Sequence, residues 1–156
     1  MCWQCDNPDA TIDDYLKELR HTIRGHGWTV QHVEHDKRPF AYTIGLQERG
    51  LPELLMTGLT PRVAHIVLNS TAHMIVDDGT ELEPAMHIDH EDRFLMEVVE
   101  VEHPDVHLKM AVNLYGPRFR ALQLVWSDNH GRFPWERYWD HGRRRQSVLG
   151  ARTPVG

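Results

Sequence analysis

Between Ala10 and Gly27 the apolar residues Ile12, Tyr15, Leu16, Leu19 and Ile23 fall three or four positions apart. That spacing draws one stripe on an α-helix and predicts a helix here. Asp9 or Thr11 can cap its start, and Gly25 or Gly27 can close its end. The pattern then changes to short apolar runs. "WTVQHVE" (28–34), "FAYTIGL" (40–46) and "ELLMTG" (53–58) predict three strands, with "HDKRP" as a polar turn. Thr60 followed by Pro61 marks a second helix start. Val63, Ile66, Val67, Thr71, Met74 and Ile75 form its expected buried face, and Asp77-Asp78-Gly79 its end. Residues 80–92 are acidic, rich in histidine and expected to be irregular. Strands are expected again at "FLMEVVEVE" (94–102), "HLKMAVNLY" (107–115) and "ALQLVWS" (121–127). Asp128-Asn129-His130-Gly131 reads as a turn, and the pattern fades after Trp135.

Helix, strands, helix, strands is not strict βαβ alternation. It predicts an α+β domain with an antiparallel or mixed sheet of about six strands and two main helices. A partly closed barrel is a second form that this pattern allows. The 156 residues are enough for one domain with a sizeable core. Residues 1–8 read as an N-terminal arm, 9–140 as the α+β domain and 141–156 as a basic, loop-rich tail.

Charge narrows the function. Seventeen Lys and Arg against 23 Asp and Glu give a formal net charge of −6. Wrapping DNA by overall charge is therefore not expected. Arg143, Arg144 and Arg145 are a local exception that can meet an acidic partner or stay solvated. No apolar run is long enough for a membrane helix, and the polar, acidic start does not resemble a signal peptide. A cytoplasmic protein is the expectation, and a structural disulfide is not.

Both cysteines lie in the opening "MCWQCD", as Cys2 and Cys5. Two thiolates at this spacing can reach one ion, and zinc accepts sulfur and imidazole in a tetrahedron. Metal binding would also order a frayed end. A redox dithiol is a weaker fit, because such pairs follow a strand and open a helix. Two incidental thiols are the remaining alternative. The pair supplies half a site. Among the twelve histidines, His103 and His107 in "VEHPDVH" are the expected completing ligands, leaving a strand and opening the next. Pro104 argues against a helix between them. Glu102 or Asp105 can orient an imidazole from behind. His26, His32 and His35 flank a strand, and His87 and His90 lie in an expected acidic loop. His65 and His73 read as helix-surface residues.

Trp126, Phe133, Trp135 and Trp139 gather around a turn, either as a ligand or partner surface or as aromatic closure of a core. Gln123 alternates with Leu122 and Leu124, so it is expected to face inward and need a partner. No phosphate loop, dinucleotide fingerprint, HExxH or nucleophile elbow is present.

"MCWQCD", "PFAYTIGL", "GLPELLMTGL", "VVEVEHPDVHL", "LYGP", "ALQLVWSDNHGRFPWE" and "SVLG" together resemble the actinobacterial domain-of-unknown-function family 4262. The resemblance brings out Cys2, Cys5, His103 and His107 as motif positions and implies no reaction. The chain is also similar to a mycobacterial zinc-responsive factor that recruits a hibernation protein to ribosomes. That likeness implies a zinc-binding adaptor whose partners are a hibernation factor and the small ribosomal subunit. The competing expectations are a metal-dependent or thiol enzyme and a small-molecule-binding domain.

Overall fold

The computed structural model describes residues 6–34, 38–90 and 94–152. Thr11 starts α1 (Ile12–His26) with a reciprocal cap. Its hydroxyl accepts the Asp14 amide, and the Asp14 carboxylate accepts the Thr11 amide. Two backbone donors that a helix start leaves unpaired are thereby satisfied. Gly27, at φ 105°, turns the chain into β1 (Thr29–Val33). β2 (Phe40–Ile44), a 3-10 turn (Leu46–Arg49) and β3 (Glu53–Thr57) follow. Thr60 caps α2 (Pro61–Asp77) as expected. Then come β4 (His87–His90), β5 (Phe94–Glu100), α3 (Pro104–His107), α4 (Lys109–Tyr115) and β6 (Ala121–Trp126). A second 3-10 turn spans Trp139–Gly142.

The six strands form one mixed sheet in the order β1-β2-β3-β6-β5-β4. β1, β2 and β3 are an antiparallel meander; β4, β5 and β6 also pair antiparallel, but α3 and α4 lie in the connection from β5 to β6. The two antiparallel halves meet in a parallel seam where Glu53 faces Ala121 and Leu55 faces Gln123.

Several expectations are corrected. The sheet is open, with β1 and β4 at opposite edges, and is not closed into a barrel. The described residues contain four α-helices rather than two main ones. The extra pair comes from 104–115, expected to be a loop and a strand. Pro104 does not prevent helix there, because it occupies the first helical position, where no N–H is needed. Residues 109–115 are helical because Leu108, Ala111, Val112 and Tyr115 pack together against the sheet at helical spacing. The sixth strand is instead β4, in the stretch expected to be irregular. Pairing with β5 organises it, with Ile88 buried against the core.

α2 covers one face of the sheet. Val67, Leu68, Ala72 and Ile75 meet Leu54, Met56, Met96, Val98, Leu122 and Leu124 there. The other face is covered piecemeal. α1 and α4 lie over its first half, around Tyr42, Ile44, Leu55 and Ala121. Over its second half lie Phe133, Trp135 and Val148, against Val99 and Val125. The last described residues thus run across the sheet as a strap. The approach is close: a Cβ on Gly150 would collide with the Glu100 carbonyl oxygen. No helix among the described residues is long and apolar enough to cross a membrane.

Candidate functional site

Cys2 and Cys5 lie outside the described residues. The histidines expected to complete their site sit on α3. His103 precedes Pro104 with a left-handed backbone (φ 52°), and His107 ends the helix one turn later. His103 is exposed and His107 half-buried. Burial, with the Lys109 charge, holds His107 below the usual imidazole range, while Asp105 opposes this. The two rings make no contact with each other among the described ring pairs. Glu102 is exposed, and its amide donates to the Leu149 carbonyl.

A different pair of imidazoles is brought together on the opposite face. His32 points from β1 to the side where α2 packs, because it is registered against Ala41 of that core. His65 comes from the first turns of α2. Their ring centroids are 5.8 Å apart with planes at 25°. His32 is half-buried and His65 exposed. Burial, and then the neighbouring His65, lower the His32 pKa, so the neutral ring is favoured. Further along the same edge, His26 and His73 flank Trp28, and His73 holds Asp77 at 2.7 Å. Among the described residues, no three His, Cys, Asp or Glu side chains form a group able to hold a metal ion.

The aromatic and arginine-rich candidates form a second region. Gln123 is fully buried, and its amide is spent on the protein itself. Its Nε2 donates to Thr57 Oγ1 and the Ser147 carbonyl, and its Oε1 accepts the Leu149 amide at 2.7 Å. Gln123 therefore buckles the strap to the sheet. Trp126 is buried, donates from Nε1 to the Thr57 carbonyl and exchanges backbone bonds with the Gln146 side chain. Trp135 stacks on Phe133 at 5.0 Å and lies under the Arg152 guanidinium at 4.0 Å. Arg143 and Arg145 both bind the buried Asp140, while Arg144 is exposed beside Trp135 and Trp139.

Beside this region lies a pocket of about 220 Å³ lined by Trp126, Asp128, His130, Asp140, His141 and Arg145. Burial alone would raise the Asp128 carboxyl. The amides of Asp140, Arg132 and His130 and the Arg132 guanidinium outweigh it, holding that carboxyl far below the usual range. Tyr138, Asp140 and His141 all have left-handed backbones, at φ 68°, 49° and 57°. Non-glycine residues rarely adopt this conformation, and the strain requires the surroundings to enforce it.

Sequence patterns did not single out the His32–His65 pair, because each residue has an ordinary explanation within its own element. Their meeting depends on how α2 crosses the edge strand. The buried Glu53 was also missed. It accepts the amides of Gly45, Leu46 and Gln47 and the Thr43 hydroxyl. A carboxylate that opens an apolar run gives no local sign of three waiting amides.

A family model described as a domain of unknown function, DUF4262, matches residues 22–140. No curated protein and no solved structure gives a significant match to the chain.

Proposed function

The chain belongs to the DUF4262 family, and from that premise we propose that it is a cytoplasmic zinc-binding regulatory adaptor. One observation carries the reading: both cysteines of the chain stand three residues apart, before the apolar stripe that begins at Ile12. Two thiolates and two imidazoles make a closed tetrahedral site, the kind that organises structure and leaves no position open for a reacting water. With zinc, the arm is pinned to the body. Without zinc, it is released and uncovers the surface beneath it. The partner that follows from the resemblance is a hibernation factor on the small ribosomal subunit, met when zinc is scarce.

Metal analysis of the purified chain tests the reading. The expected result is one zinc per chain, lost in Cys2→Ser and in Cys5→Ser. Limited proteolysis should then cut the arm quickly after chelation and slowly in zinc. A chain that takes up no zinc, or an arm equally cleavable in both states, overturns it.

A second reading, a small-molecule-binding domain, is favoured by the left-handed residues beside the Asp128–Asp140 pocket. It predicts ligand-induced thermal stabilisation that survives Cys2→Ser and fails in His141→Ala.

A further inference from the structure

We propose that the groove between the C-terminal strap and the turn around Trp135 and Trp139 binds a small aromatic carboxylate, recognised by Arg144 and the Trp139 indole N–H. The site does not depend on zinc, and it shares no lining residue with the Asp128–Asp140 pocket.

The groove has a volume of about 490 Å³ and is lined by Trp135, Trp139, Arg144, Val148, Gly150 and Arg152, among others. That is room for an acid of one or two rings. No Asp or Glu is among the described residues that line it. Its strap wall is fixed at three points. Gln146 exchanges bonds with the Trp126 backbone, Leu149 donates to Gln123, and Arg152 pairs with Glu97. A wall already held in place lowers the ordering cost of binding.

The donors come from the segment that joins turn and strap. Asp140, His141, Arg143 and Arg145 line the neighbouring pocket, whereas Trp139 and Arg144 line the groove. Arg143 and Arg145 share the Asp140 carboxylate, and Arg144 between them has no carboxylate partner among the described residues. Arg152 is neutralised by Glu97, so Arg144 supplies the uncompensated charge of this lining. Trp139 is 5% exposed, and its Nε1–H has no acceptor among the described residues. An indole N–H can only donate, and burying it unpaired is unfavourable. Trp139 also stands between Tyr138 and Asp140, both left-handed. An orphaned donor and a strained backbone meeting at one lining residue point to a ligand that accepts there.

An ionised carboxylate fits both donors. It only accepts, its two oxygens match the guanidinium fork, and lone pairs remain for the indole N–H. Trp135, Val148 and the Trp139 ring offer apolar contact to a flat ring beside it. The net charge of −6 opposes anions at long range, so recognition is local to Arg144.

Titration of the full chain with 2-naphthoate, followed by nitrogen-edited NMR of the tryptophan indole N–H signals, decides the matter. Trp139→Phe assigns its own signal by removing it. The Trp139 signal should move saturably, and the neutral 2-naphthamide should bind at least about tenfold more weakly. Arg144→Gln, at an exposed position, should weaken 2-naphthoate about tenfold or more with the fold unchanged by circular dichroism. Arg24→Gln, the same charge change on α1, should alter it less than about twofold. Four results overturn the proposal. They are no saturable shift up to about 10 mM acid, equal binding of acid and amide, indifference to Arg144→Gln, and movement of another indole signal in place of Trp139.

Discussion

The two faces of the sheet are closed in different ways. On one, a single helix, α2, meets a continuous apolar layer from Leu54 to Leu124. On the other, α1, α4 and the C-terminal strap share the work, and polar contacts join the pieces. The Tyr42 hydroxyl accepts the Met110 amide at 3.1 Å, Gln123 holds the strap, and Arg152 grips Glu97. The difference is physical. Apolar packing is non-directional and spread over many contacts. A hydrogen-bonded joint depends on a few atoms, so its loss is local. The first face fixes the fold, and the second fixes where its loose segments lie.

The largest expected break is on the packed face. Leu68 is fully buried, and Leu68→Ala should cost about 2–5 kcal/mol by urea unfolding, through lost transfer energy and the cavity left behind. A loss below about 1 kcal/mol would show that this face is looser than its packing implies.

Next comes the buried carboxylate at the start of β3. Burial raises the Glu53 pKa to about 7, against the amide and hydroxyl bonds that pull it down. The raised folded value means that its contribution is fully present below about pH 4.5. It is then lost as pH rises towards about 7, by roughly 3 kcal/mol. Unfolding of the wild type and Glu53→Gln at pH 4.5 and 7.5 should show that slope only in the wild type. Equal slopes would mean that the hydrogen bonds balance burial, and a reversed slope that they outweigh it.

Gln123→Ala should cost about 2 kcal/mol, because the Leu149 amide, the Ser147 carbonyl and the Thr57 hydroxyl lose a shared partner inside the fold. Hydrogen exchange should accelerate at Leu149 and stay protected on α2. Uniform acceleration would show that the strap and the packed face open together.

The smallest effect is expected at the strap's end. Burial works to raise the Glu97 pKa, but Arg152 and His87 outweigh it, so the net shift is downward. Glu97 therefore stabilises above its ordinary pKa, and this is lost as pH falls. Arg152→Ala should cost about 1 kcal/mol at neutral pH and less in acid. A cost that does not vary with pH would assign the contact to Trp135 stacking instead.

What could be read in advance follows the same division. α1 and α2 were legible because their caps and apolar stripes are local: Thr11 with Asp14, Thr60 with Pro61. Five strand positions were legible from their apolar runs. Residues 107–115 misled because Leu108, Met110, Val112 and Leu114 alternate, while Leu108, Ala111, Val112 and Tyr115 also fit a helix. Contact with the sheet decides between the two periods. β4 was hidden because "HIDH" has one apolar residue and is a strand through its partner. Gln123 was legible as an inward polar residue needing partners, from its place between leucines. That those partners belong to the strap was not, since Ser147 and Leu149 meet it only in space. The same holds for His32 and His65.

The parallel junction of β3 with β6 has a consequence for the order in which the molecule forms. Within the halves the connections are shorter: β1, β2 and β3 follow one another closely, and β5 reaches β6 across α3 and α4 alone. β3 and β6 are neighbours only after α2, β4, β5, α3 and α4 have been looped out between them. That closure entropy falls due before the junction returns any contact energy. The joining of the halves is therefore the slow step of refolding, and until then the Leu55 and Gln123 strands are open edges able to pair with another chain.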